Sequence, residues 1–264
     1  MNKKKLRIAL AISLVAVLIV GATWAYLSDV TQKKKNVFTF SSGLTAELYE
    51  PEWDGEDENG QTTPADNPDL GKNKADDILP GAVLPKNPYI INTCNVDEFV
   101  AMKVTFRHAK DGFELTEDQM ELLNQMMSLD IDSTNWFLYK GGENSPIFYY
   151  MYRGTPTGTA NGLQPGTLQP GLKTHELFTE VTFDIGIDND EMNWLSGLGT
   201  LELGGKDIPG LREGLEIYIE GAAVQASAFP EGFIDDITDF PNNYDTNGLM
   251  SDLEDLLRSA PYFP

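Results

Sequence analysis

The sequence predicts a single, mostly β domain, and three observations predict it. Apolar and polar residues alternate at period two over Phe38–Leu48, over Val100–Phe106 and over Leu215–Ile219. That period sends successive side chains to opposite faces of a strand and leaves one face to bury. Glycine- and proline-rich stretches separate the apolar runs, as turns and loops require. Aromatic residues make up 10% of the 264 residues, enough to fill one large core.

The chain opens with Lys3, Lys4, Lys5 and Arg7, then an apolar run from Ile8 to Ala22, then the small residues Thr23 and Ala25 on either side of Trp24. This order of charge, apolar run and small residues is that of a secretory signal peptide cut between Ala25 and Tyr26. The run falls short of the roughly 20 residues of a spanning helix. Read on through Trp24 and Leu27 it reaches that length, and then describes an uncleaved anchor. The expected layout is a signal segment over 1–25, a β domain over 26–229 and an extension over 230–264.

The formal charge is −22, and removing 1–25 takes away four basic residues and no acidic ones, leaving −26. Such a surface repels nucleic acid and anionic lipid, so neither is an expected partner; membrane contact is expected only through the signal segment. Cys94 is the only cysteine, which excludes an intrachain disulfide; its expected place is that of a small buried residue.

In chain order, Phe38, Phe40, Leu44, Ala46 and Leu48 mark one face of a long first strand. Asp54–Asp77 is acidic, polar and almost without large apolar residues, the composition of a surface loop or disordered insert, with Trp53 as its anchor. Val100–Phe106 reads as a half-buried strand. Thr116 and Gln119 form the ends of a capping box, opening a helix whose Met120, Leu123 and Met127 pack into the core. Trp136–Tyr139 and Ile147–Arg153 flank a Gly-Gly turn region as an aromatic hairpin. Thr155–Gly171 is a loop, and Val181–Ile185 a strand. Asn189–Leu198 reads as a helix closed by Gly199. Leu215–Ile219 is the last long strand; past Gly221 the apolar parity shifts to Ala222, Val224 and Ala226, which predicts a β-bulge. The tail ends in an amphipathic helix, Asp252–Ser259, with Leu253, Leu256 and Leu257 on one side.

Several of these blocks resemble one family. Gly21–Asp29, followed by Asn36-Val37-Phe38-Thr39-Phe40-Ser41-Ser42-Gly43-Leu44, is similar to the start of TasA and camelysin-like proteins. So is Leu79-Pro80-Gly81 with Lys86-Asn87-Pro88 and Asn92-Thr93-Cys94-Asn95-Val96-Asp97, although Cys94 stands where the family has glycine. Leu168-Gln169-Pro170-Gly171 through Leu177-Phe178, and Val224-Gln225-Ala226, resemble later family segments; nothing past Pro230 does. The resemblance implies a jelly-roll-like antiparallel β-sandwich, a signal peptide removed by a dedicated signal peptidase (SipW), secretion to the cell surface or extracellular matrix, and membership of surface or biofilm-matrix fibres that assemble by donor-strand exchange. Fibre subunits of the same kind are then the expected partners, joined through the strand carrying Phe38, Phe40, Leu44, Ala46 and Leu48.

The chain carries no nucleophile elbow, no phosphate loop and no H-E-x-x-H. Camelysin is a metalloprotease, but His108 and His175, the only histidines, have no partner at zinc-ligand spacing. The expected protein is therefore not an enzyme and requires no cofactor. One metal signal stands out: Asn243, Asp245, Asn247, the Leu249 carbonyl, Ser251 and Glu254 have the spacing of a calcium loop, with Gly248 at its sharp turn. The same residues also read as an Asn-Gly turn with Ser251 and Glu254 capping the last helix. A non-enzymatic fibre subunit is the leading expectation. The alternatives are a monomeric surface module that binds carbohydrate or protein, and a camelysin-type protease.

Overall fold

The structure is a computed structural model that describes residues 37–40, 44–153 and 166–226. It is mostly β, an antiparallel sandwich with a few short helices. The strands are β1 (Val37–Phe40), β2 (Leu44–Tyr49), β3 (Glu56–Asp57), β4 (Gly60–Gln61), β5 (Val83–Pro85), β6 (Tyr89–Asn92), β7 (Glu98–His108), β8 (Met127–Leu129), β9 (Trp136–Lys140), β10 (Ile147–Tyr152), β11 (Glu180–Phe183), β12 (Thr200–Leu203), β13 (Lys206–Pro209) and β14 (Leu215–Gln225). The helices are α1 (Pro51–Asp54), α2 (Gly71–Lys74), α3 (Glu117–Met126) and α4 (Asn189–Leu195).

The four-stranded sheet β14-β7-β10-β9 is the largest. One face of β7 presents Val100, Met102, Val104 and Phe106, which join Ile219 and Ala223 of β14 and Tyr150 and Tyr152 of β10 in the main core. Two three-stranded sheets contribute to the same core: β1-β2-β6 through Ala46 and Ile90, and β5-β11-β8 through Leu84, Val181, Phe183 and Met127. The indoles of Trp136 and Trp194 are fully buried there and donate to the carbonyls of His175 and Ile208, both at 3.1 Å, so neither leaves a buried N–H unpaired.

The β7–β14 ladder runs unbroken from Leu215 opposite His108 to Gln225 opposite Glu98. The bulge expected at Gly221 is not there. Ala222 and Ala223 are both buried, so the change of apolar parity reports a second covered face, and not a shift of register. Nor is β7 a half-buried strand, because Phe99 and Ala101 on its other face are buried too. Farther along that face, Lys103 pairs with Glu220 at 2.8 Å and Arg107 with Glu216 at 2.6 Å. Each is a cross-strand neighbour in the ladder, so the two charge pairs fix its register. The irregularity falls elsewhere, between Tyr149 and Tyr150 where β10 meets β9.

The expected aromatic hairpin is β9–β10. The expected capping box is also present: Thr116 Oγ1 accepts the Gln119 N–H at 3.2 Å, and the Gln119 side chain accepts the Thr116 N–H at 3.0 Å. Helix α3 buries Met120, Leu122, Leu123 and Met126, while Met127 already belongs to β8. Helix α4 ends earlier than expected. Gly197, at φ +80°, makes the exit turn in place of Gly199, and a Cβ there would stand 2.1 Å from the Leu211 carbonyl oxygen. Its entry is capped by Asp188 with Glu191 reciprocating. Strand β11 stops at Phe183, leaving Ile185 78% exposed.

Asp54–Asp77, expected as a loop or disordered insert, is an ordered sequence of short elements. Gly55 closes α1 in the left-handed region. Thr62 and Thr63 donate to its carbonyl, and Asn73 Nδ2 ties the carbonyls of Ala65 and Asn67. Trp53 is the anchor expected of it: the Lys86 ammonium sits 4.6 Å from its ring centroid, and Gly71 packs so closely that a Cβ would meet the ring at 2.5 Å and the Pro85 oxygen at 2.0 Å.

Candidate functional site

The expected assembly strand is two strands. Phe38–Leu48 folds as the antiparallel pair β1–β2, with Val37 opposite Glu47, Phe38 opposite Ala46, Thr39 opposite Thr45 and Phe40 opposite Leu44. The alternation read from Phe38, Phe40, Leu44, Ala46 and Leu48 therefore spans two paired strands and not one continuous strand. Among the described residues β1 pairs with β2 alone, whereas β2 also pairs with β6 through Ala46–Asn92, Glu47–Ile91, Leu48–Ile90 and Tyr49–Tyr89. Among the described residues β1 is thus at the edge of its sheet.

The inner face of this sheet lies against β14. Ala46, Leu48 and Ile90 line the crossing together with Gly221 and Ala222 of β14. Ala46 on one side faces Gly221 and Ala222 on the other, and it is only 3% exposed. A larger side chain here would push the sheets apart.

The outer face of the sheet is aromatic and acidic. Tyr49 and Tyr89 stack with centroids 5.9 Å apart. Tyr49 donates to the Glu47 carboxylate, and Tyr89 Oη donates to Glu58 Oε2 at 2.5 Å. Burial, and then these carboxylate partners, hold both phenols well above the ordinary tyrosine range. In return the Tyr89 hydroxyl lowers the pKa of Glu58, and Lys173 adds to the effect. The Lys173 ammonium sits 4.5 Å from the Tyr89 ring centroid. At the rim, Lys86 is buried and paired with Glu50 at 2.8 Å. The acidic segment is fastened to the outside of the edge sheet by these contacts.

The two histidines, not expected to act as ligands, lie apart, and the other expected site residues lie outside the described residues. His108 is buried at the end of β7 and accepts the Arg212 N–H on Nδ1 at 3.0 Å; His175 is exposed and faces Tyr152 Oη at 3.3 Å. No group of three or more His, Cys, Asp or Glu side chains converges among the described residues. The cleavage pair Ala25–Tyr26, the calcium-loop residues Asn243, Asp245, Asn247, Leu249, Ser251 and Glu254, and the helix Asp252–Ser259 lie outside the described residues. Two features escaped the sequence reading. The β12–β13 hairpin turns at Gly204-Gly205, a dipeptide that signals such a turn. The corner between β6 and β7 buries Glu98, which sequence alone does not mark.

Compared with protein-family models, with curated proteins and with solved structures, the chain matches none.

Proposed function

We propose that this chain is a secreted, non-enzymatic subunit of cell-surface or matrix fibres, of the TasA and camelysin-like kind, and that it assembles through β1. The observation that carries the reading is the position of β1. Among the described residues it is the edge strand of its sheet, held by four register pairs, and it follows directly on the segment that signal-peptide cleavage would free. A strand held on one side only can leave its partner and complete a neighbour's sheet, because the ladder bonds are the same in either molecule. Its replacement in each subunit is the β1 of the next, so the contact is heterologous and gives open filaments. Lys33, Lys34 and Lys35 precede β1, and Glu56, Asp57 and Glu58 border the same sheet. That charge pattern favours head-to-tail approach. The signal-like N-terminus and the motif resemblance support secretion and a jelly-roll arrangement. Cleavage after Ala25 would then act as the assembly switch. The test compares a form beginning at Tyr26 with one carrying extra residues before Tyr26, by light scattering and electron microscopy at high concentration. Filaments from the first alone are expected. Two monomers, or the same filaments from both, would reject the reading.

A further inference from the structure

The corner joining β6 to β7 has a built polar interior that the proposed assembly does not use. β6 ends at Asn92, which is 0% exposed, and its side chain organises the turn from inside. Asn92 Oδ1 accepts the Cys94 N–H at 2.9 Å, and Nδ2 donates to the carbonyls of Val96 and Leu168, both at 2.8 Å. The turn therefore brings the Cys94 Sγ to 3.1 Å from the Val96 carbonyl oxygen and 3.1 Å from Glu98 Oε1. Glu98 begins β7, is itself 0% exposed, and has its backbone fixed by a two-way pairing with Leu168 at 3.1 and 2.7 Å. Its other oxygen, Oε2, has no hydrogen-bond partner among the described residues.

A thiol has one proton, and here it faces two acceptors. A buried carboxylate oxygen without a donor is costly. One cation would serve all of these groups at once. We propose that Cys94 Sγ and the Glu98 carboxylate, with the Val96 carbonyl, bind a single thiophilic divalent cation of the Zn²⁺ or Cd²⁺ class. Thiolate and carboxylate together match the charge of such an ion, so the buried site carries no net charge. The sulfur selects against Ca²⁺ and Mg²⁺, which prefer oxygen. Tetrahedral zinc bonds of roughly 2.3 Å to sulfur and 2.0–2.2 Å to oxygen put two such ligands about 3.5 Å apart, close to the 3.1 Å separation found. As the metal–sulfur bond forms, the thiol proton leaves to solvent; nothing is oxidised or reduced, and water fills the remaining positions. Asn92 acts as the positioning residue, holding both the Cys94 amide and the Val96 carbonyl. Cys94 is half-buried, which gives the ion a way in, and the acidic chain concentrates cations around it.

The test titrates the reduced full chain with Cd²⁺ alone and reads the ultraviolet thiolate-to-cadmium absorption. Saturation at one equivalent is expected, with the band lost in Cys94→Ser and the affinity lowered at least about tenfold in the isosteric Glu98→Gln. Unchanged affinity in a folded Glu98→Gln, or no band in the unsubstituted protein, would overturn the site. A second measurement needs no variant. Zn²⁺ should slow alkylation of Cys94, the chain's only thiol, by iodoacetamide, and Mg²⁺ should not; equal rates with either ion would overturn it as well.

Discussion

The ladder between β7 and β14 and the hairpin between β1 and β2 are both antiparallel pairings, but they are held very differently. The first has eleven register pairs, burial on both faces and two cross-strand charge pairs. The second has four register pairs, at the edge of its sheet among the described residues, and its β2 crosses β14 where Ala46 meets Gly221 and Ala222. The contrast separates a long, doubly covered ladder from the short pairing through which assembly is proposed. Local opening free energies follow such differences in burial and bonding, and exchanging elements come from the low end.

The largest expected effect breaks the ladder side. Lys103 and Glu220 are only 14% and 10% exposed, so removing one partner strands a buried charge. Lys103→Met should cost about 3–5 kcal/mol by urea unfolding, and adding Glu220→Leu should recover most of it. If Lys103→Met melts like the parent, the register of the ladder does not depend on this pair.

A middle-sized effect is expected at the crossing. Ala46→Leu should cost about 1–3 kcal/mol by overpacking, and amide exchange should quicken in β1 and β2 before it does in β7. Uniform quickening would mean that the hairpin and the ladder open as one unit.

The smallest effects are electrostatic. Burial, and then Arg212, lower the pKa of His108 below its ordinary 6.5. The unfolded chain therefore binds this proton first, and stability should fall as pH drops from about 6.5 toward the folded-state value. His108→Gln should flatten that part of the pH profile. Glu58 is also depressed, by the Tyr89 hydrogen bond. Its contribution should be present above 4.5 and fade as pH falls through its lower folded value, and Glu58→Gln should remove that dependence. Thermal melts across pH check both.

Where local chemistry decides structure, it was legible in the sequence. The Thr116–Gln119 box and the β9–β10 hairpin follow from side chains within a few residues of each other. The break in Phe38–Leu48 was not legible from alternation. Phe40 and Leu44 are cross-strand partners, so the two strands keep the same parity, and the pattern runs through unbroken. The absent bulge at Gly221 has the opposite cause: burial of both faces erases the alternation that normally reports register. The acidic segment looked unstructured because hydropathy does not register the backbone bonds of Asn73 or the contact of Gly71 with Trp53. The Cys94–Glu98 corner was hidden because Glu98 reads as a solvent-facing residue until Leu168, far along the chain, closes over it.

The central claim is that β1 leaves β2 to join a neighbour, and a reversible cross-link tests it most directly. Thr39 and Thr45 are register partners, and the Cα separations of such partners, about 4.5–5.5 Å, fall within disulfide range. Thr39→Cys with Thr45→Cys, in a Cys94→Ser background and beginning at Tyr26, can be oxidised to lock the hairpin and reduced to release it. The account predicts a monomer when oxidised and filaments when reduced, followed by light scattering. Filaments that form at the same rate from the locked protein would contradict it.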